Sequence, residues 1–229
     1  MNDQPAFETA GRTRPPGAGI VRVKVCGLTT PHEVSVAAEA GAAYVGLVFF
    51  PPSPRALSPG AARDAALAAP AGVVKVGLFV DPDDATLDTV LGQVALDMVQ
   101  LHGRETPQRV AAVRRHTGLP VIKAVGIRER ADLDRTAAYA GAADQLLIDA
   151  KPPAGAALPG GNGLAFDWSL LAGHRFSLPW MLAGGLTPQN AAQAVARTGA
   201  RQLDVSSGVE ASPGVKDPER IRAFIDAVA

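Results

Sequence analysis

Val21-Arg-Val-Lys-Val-Cys26-Gly-Leu-Thr-Thr-Pro31-His-Glu33 holds a complete strand-to-helix transition. The β-branched run Val21 to Cys26 reads as a strand buried on both faces. Thr30-Pro31 then reads as a helix start, with a hydroxyl at the cap and proline in the first turn, where its missing N–H costs nothing. The pattern recurs along the chain. Strands are predicted at Val21 to Cys26, Tyr44 to Phe50, Val73 to Val80, Asp97 to Leu101, Pro120 to Val125, Gln145 to Asp149, Pro179 to Ala183 and Gln202 to Val205. Helical patterns lie between them at 31–40, 59–69, 83–94, 106–116, 130–140, 166–171, 188–198 and 218–228. Ser58-Pro59, Thr106-Pro107, Thr187-Pro188 and Asp217-Pro218 repeat the cap seen at Thr30.

Eight strand–helix units predict an α/β protein, a (β/α)8 TIM barrel, as a single domain over residues 20–229. An open doubly wound sheet is the rival. It ranks lower because no Gly-x-Gly-x-x-Gly follows the first strand, and because polar residues follow nearly every strand rather than one switch point. Residues 1–19, rich in proline and glycine with no periodicity, read as a flexible N-terminal tail.

Lys and Arg total 22 and Asp and Glu total 22. With that balance there is no electrostatic case for a nucleic-acid partner or an anionic membrane. No apolar run reaches the roughly 18 residues of a membrane span, and the opening residues lack the apolar stretch of a secretory signal. The expectation is a cytoplasmic protein with a small-molecule partner.

In a barrel, the residues after each strand converge on one rim, so they sketch the site. Cys26 is the only cysteine, which rules out an internal disulfide and leaves a reactive thiol or a small buried hydrophobe. Asp149 ends the sixth strand, ahead of a long Pro- and Gly-rich stretch that reads as a lid. A thiol and a carboxyl across one barrel mouth form a possible acid/base pair. Lys24, two residues before Cys26, points to the same side of the strand. It either lowers the thiol pKa or bridges to a carboxylate on another strand. Ala183-Gly184-Gly185-Leu186 and Ser206-Ser207-Gly208 follow the last two strands, where barrels often bind phosphate through exposed backbone N–H groups and helix dipoles. His102 lies on the same rim, and no ligand spacing around it points to a metal. Phe49, Phe50 and Trp168 are candidates either for a ring pocket or for ordinary packing.

These segments resemble, in order, the strand motifs of the phosphoribosylanthranilate isomerase family: Lys24-Val-Cys26-Gly27, Gly46 to Arg55, Val76 to Val80, Val99 to Gly103 and Leu147-Ile-Asp149. Gly160 to Gly163, Phe166-Asp-Trp168, Ala183 to Leu186 and Asp204 to Glu210 continue the likeness to the later motifs. The resemblance implies the Amadori rearrangement of N-(5-phosphoribosyl)anthranilate to 1-(o-carboxyphenylamino)-1-deoxyribulose 5-phosphate in tryptophan biosynthesis, with no cofactor. It implies Asp149 as general acid, Cys26 as general base, and Arg55 on the anthranilate carboxylate. It further implies Gly184, Gly185, Ser207 and Gly208 around the phosphate, and a monomer; Lys24 and His102 are supporting candidates by their place on the strand and rim alone.

Two alternatives remain at this point. One is a barrel aldose–ketose isomerase acting on another phosphorylated sugar, whose chemistry uses two aspartates; a cysteine on strand one argues against it. The other is a non-catalytic phosphosugar-binding barrel, which has no need of both Cys26 and Asp149.

Overall fold

The computed structural model describes residues 20–150 and 167–229. The predicted tail, the predicted lid and Phe166 lie outside the described residues. Eight parallel strands close into a barrel: β1 (Arg22–Cys26), β2 (Tyr44–Val48), β3 (Val74–Phe79), β4 (Met98–Leu101), β5 (Val121–Ile127), β6 (Gln145–Ala150), β7 (Trp180–Leu182) and β8 (Gln202–Val205). The seam between β1 and β8 is in parallel register, with Lys24 opposite Asp204. Every residue of β2 and β6 is buried, which is why these strands read as continuous apolar runs.

The α-helices are α1 (Pro31–Glu39), α2 (Pro59–Leu67), α3 (Asp84–Leu91), α4 (Pro107–Thr117), α5 (Ala191–Thr198) and α6 (Pro218–Asp226). Thr30, Ser58, Thr106 and Asp217 cap their helices through side-chain oxygens, each with proline in the first turn, as their sequence predicts. Four readings needed correction. The helical pattern at 166–171 is, among the described residues, a short 3-10 helix, Trp168–Leu171. Residues Arg130–Tyr139 form a 3-10 helix instead of an α-helix. Asp132 Oδ2 accepts from the backbone N–H of Arg128 and Glu129, and Thr136 Oγ1 donates back to the Leu133 carbonyl three residues earlier. Both contacts favour the tighter winding. Helix α5 starts at Ala191, not Pro188, because Asn190 uses its side chain to hold the preceding turn. Finally, β9 (Glu210–Ser212) and β10 (Val215–Lys216) form an antiparallel hairpin after β8 that the helical periodicity does not announce.

Apolar packing falls into three bodies. The largest fills the shell between strands and helices, and includes Val25, Leu47, Phe79, Leu101, Leu146 and Phe224. Inside the barrel, Tyr44, Val76, Ile122, Ala124, Leu147, Met181 and Ala183 form a second body. Period-two alternation sends these side chains inward while their neighbours feed the outer shell. The amino-terminal end of the barrel is closed by a polar plug. Tyr44 Oη donates to Gln202 Oε1 at 2.9 Å, Gln145 Nε2 donates to the same oxygen at 3.1 Å, and the Arg22 guanidinium lies 4.6 Å above the Tyr44 ring. The third body, Cys26, Val48 and Leu78 with Phe50 and Val80 against it, lies at the carboxyl ends of the first three strands.

One buried ionic knot sets the rim after β3, β4 and β5. Glu105 Oε1 accepts from Asp81 N at 2.8 Å and Gly103 N at 3.0 Å, and Oε2 pairs with Lys123 Nζ. Lys123 also donates to the Gly103 carbonyl at 2.9 Å. Asp81, at φ 47° the described non-glycine residue with a left-handed backbone, is held there by Glu105 and by donation from Arg104 N to its Oδ1. Asp81 is therefore a structural residue of the rim. Burial pushes the Lys123 ammonium below its ordinary value, against the pull of Glu105. Substituting Glu105→Ala orphans this buried charge and should cost about 3–5 kcal/mol in urea unfolding, the usual size for half of a buried pair. Glu105→Gln keeps the backbone contacts and should cost less.

Candidate active site

Cys26 is the last residue of β1, and its thiol points into the barrel above Lys24, as alternation requires. Lys24 is fully buried and its Nζ lies 2.8 Å from Asp204 Oδ1 across the β1–β8 seam. The lysine bridges to another strand's carboxylate and lies beneath the thiol. Gly46 on β2 faces the pair. A Cβ at that position would lie 2.9 Å from Cys26 Sγ and 3.2 Å from Lys24 Nζ, so glycine leaves the space the two groups share. Burial pushes the Cys26 thiol up; Lys24 pulls it down and Asp204 pushes it up again, with a smaller downward pull from Lys216. Burial alone would lower the Lys24 ammonium, but Asp204 and Cys26 outweigh it and hold it above its ordinary value.

Asp149 lies near the end of β6, paired in register with Gly126 of β5. Its Oδ1 accepts from Ala150 N at 2.7 Å, and its Oδ2 is 3.2 Å from His102 Nε2. Gln100, two residues before His102 and so on the same side of β4, brings Nε2 to 3.0 Å from His102 Nδ1. With that amide donating, Nδ1 is the acceptor and the ring presents Nε2–H to Asp149. Gln100 Oε1 is buried with no hydrogen-bond partner among the described residues.

Arg55 follows the turn after β2 and is buried beside Gly27, the residue after Cys26. Its guanidinium grips Glu210 in a two-point pair, Nε to Oε1 at 2.7 Å and Nη2 to Oε2 at 2.8 Å. Lys216 Nζ joins the same carboxylate at 2.7 Å. Burial would raise the Glu210 carboxyl, yet hydrogen bonding by Arg55 and the Lys216 charge outweigh it and hold it below its ordinary value.

Gly184 and Gly185 take left-handed conformations, φ 87° and 62°, that carry the chain from β7 around the mouth. Gly184 lies against Asp149, leaving only 2.9 Å between the position of a Cβ and Asp149 Oδ1. Asn190 holds this turn: Nδ2 donates to the Gly185 carbonyl at 2.9 Å, and Oδ1 accepts from Thr187 N at 2.8 Å. Ser207 and Gly208 lie in the 3-10 turn Ser207–Val209, with Gly208 packed on the backbone of Leu186. The two small-residue turns are therefore adjacent.

Cys26, Arg55, His102, Asp149 and both turns share the carboxyl end of the barrel, with Lys24 one layer beneath. Of the aromatic candidates, Phe50 joins the apolar body around Cys26. Phe49 stacks on Phe79 at 5.1 Å in the outer shell, and Trp168 is buried there too. Sequence reading missed five polar partners, Glu210, Lys216, Asn190, Gln100 and Asp204. The Ser212-Pro-Gly214 turn signal between short runs could have marked the hairpin that carries the first two.

Comparison with known proteins gives this geometry its context. The family model for N-(5'phosphoribosyl)anthranilate (PRA) isomerase matches residues 23–227. An N-(5'-phosphoribosyl)anthranilate isomerase of Cereibacter sphaeroides is 63% identical over 207 residues, covering 90% of this chain and 98% of that one. A phosphoribosyl anthranilate isomerase solved in complex with reduced 1-(o-carboxyphenylamino)-1-deoxyribulose 5-phosphate superposes with a TM-score of 0.80 at 36% identity, covering 91% of this chain and 98% of that one. Monomers generated from the dimeric Thermotoga maritima phosphoribosylanthranilate isomerase superpose with a TM-score of 0.78 at 36% identity and the same coverage. Sequence and barrel geometry thus agree over nine-tenths of the molecule, and the chain belongs to the N-(5'-phosphoribosyl)anthranilate isomerase family.

Proposed function

We propose that Cys26 is the general base and Asp149 the general acid of the family reaction in this chain. That reaction is the rearrangement of N-(5'-phosphoribosyl)anthranilate to 1-(o-carboxyphenylamino)-1-deoxyribulose 5-phosphate, a step of tryptophan biosynthesis. The observation that carries the assignment is the pairing of two differently prepared groups at one barrel mouth: a thiol set over a buried ammonium, and a carboxyl that accepts from His102.

Asp149 gives its proton to the furanose ring oxygen as the C1–O bond breaks, and the anthranilate nitrogen lone pair forms the C1=N bond of the Schiff base. The Cys26 thiolate then removes the proton on C2. The C2–H electrons form C1=C2 and the C1=N pair returns to nitrogen, giving an enolamine that tautomerises to the ketone. His102 steadies the Asp149 carboxylate once its proton has left. Arg55 holds the anthranilate carboxylate, for which its planar fork is suited. Phe50, Val48, Leu78 and Val80 offer the anthranilate ring an apolar wall beside the thiol. The two turns containing Gly184, Gly185, Ser207 and Gly208 hold the phosphate at the opposite end. Acid, base and positioned dipoles suffice, and no cofactor enters the scheme.

The same reading treats residues 20–229 as one catalytic domain, acting as a cytoplasmic monomer on a small phosphosugar. Among the described residues the large hydrophobic side chains left exposed are Ile20, Leu67 and Val215, far fewer than those buried, which supports a chain that folds around its own core.

Cys26→Ser and Asp149→Asn should each lower kcat by at least about a hundredfold, the usual range for general acid–base groups, while the reduced product analogue still binds. Loss of analogue binding together with kcat would instead mean a collapsed site. Arg55→Met should mainly raise KM. Ionisation of the single cysteine, followed by thiolate absorbance, tests the electrostatics. Asp204→Asn removes a charge that opposes the thiolate, so the midpoint should fall and the acid limb of kcat should move to lower pH. Lys24→Met removes a charge that favours it, so both should move up.

A further inference from the structure

We propose that Glu210 is the positioning residue for Arg55 and thereby sets the preference of the site for a substrate bearing the ortho carboxylate. The inference rests on the reading that Arg55 receives that carboxylate. A guanidinium carries five N–H donors on a planar fork, and its three edges are not equivalent. Glu210 occupies the edge formed by Nε and Nη2, at 2.7 and 2.8 Å, and both partners are nearly inaccessible to solvent. A buried two-point pair of this kind fixes the plane of the guanidinium as well as its location. A carboxylate arriving in the mouth then meets a guanidinium whose plane Glu210 dictates.

Glu210 is itself held from three directions. Lys216 Nζ donates to Oε1, Arg220 Nη1 donates to the Glu210 carbonyl, and the hairpin places Gly214 against the carbonyl of Pro54, the residue before Arg55. Lys216 also donates to the carbonyl of Ser206 at 3.1 Å and its Oγ at 3.3 Å, immediately before the turn assigned to phosphate. Lys216 N donates to Glu33 Oε1 at 3.0 Å, and Glu33 Oε2 accepts from Thr29 N, so the hairpin is tied to the loop after β1 as well. Lys216 thus fixes the Glu210 carboxylate and Arg220 its backbone, so Glu210 is anchored on its own hairpin independently of Arg55. The hairpin spaces the carboxylate end of the substrate from its phosphate end.

The test measures calorimetric affinity of the intact protein and of Glu210→Gln for two ligands. These are reduced 1-(o-carboxyphenylamino)-1-deoxyribulose 5-phosphate and its phenylamino counterpart without the carboxylate. The expected result is that Glu210→Gln weakens the carboxylated ligand by about tenfold, the scale of a charged hydrogen bond, and leaves the other unchanged. Equal weakening of both, no change in either, or tighter binding of the carboxylated ligand would each overturn the proposal while leaving the Arg55 reading in place. If the intact protein shows no preference between the ligands, the Arg55 reading fails and takes this proposal with it. Should Glu210→Gln not fold, nitrogen-edited NMR of the unsubstituted protein decides. The Arg55 Nε–H resonance should be protected in the free protein and keep its shift when the carboxylated ligand binds, and its loss or movement would overturn the proposal.

Discussion

Two charges taken out of water across the β1–β8 seam, Lys24 and Asp204, govern the chemistry available to the rest of the site. Such a pair contributes little net stability, because desolvation offsets most of the Coulombic attraction. Its value lies in where it places potential. A buried thiol in an apolar mouth formed by Val48, Leu78, Phe50 and Val80 would hold its proton. The ammonium beneath it works against that tendency, and Asp204 restrains the ammonium from going further. The thiol is thus set by opposing charges whose geometry is fixed by strand register, since Lys24 and Asp204 face each other in the ladder itself.

The remainder of the rim is held by polar partners in the same way. His102 is oriented by Gln100, Arg55 by Glu210 and the Gly184–Gly185 turn by Asn190. Glu105 binds the loops after β3 and β4 to a strand lysine, so that part of the mouth is rigid before any ligand arrives. The polar plug of Tyr44, Gln145 and Gln202 closes the other end of the barrel, which separates the residues of the floor from those of the mouth.

The barrel is legible in the chain because its signals are local. Buried parallel strands write themselves as Val-, Ile- and Leu-rich runs, and Thr30-Pro31 or Ser58-Pro59 announces a helix within two residues. Cys26 and Asp149 stand out by their place after such strands. Lys24 stands out too, two residues before Cys26, but the partners across the barrel are not legible, for a physical reason: Asp204 is 180 residues from Lys24, and Glu210 is 155 from Arg55. No periodicity links them, and only closure of the barrel brings them together. The 3-10 winding of Arg130–Tyr139 escaped for a different reason, since side-chain bonds from Asp132 and Thr136 override a pattern that reads as ordinary helix.

The hairpin contacts also bear on how the protein assembles. Glu210 reaches Arg55, and Lys216 reaches back 183 residues to Glu33, so the first and last quarters of the chain are joined at the mouth. Contacts of such separation carry the largest loop-closure cost and are slow to form. A folding intermediate in which the early strands have paired already possesses the thiol, yet lacks the carboxylate beside Lys24 and the partner of Arg55. The ion pairs of the mouth are then completed together, by docking of the last strand–helix unit.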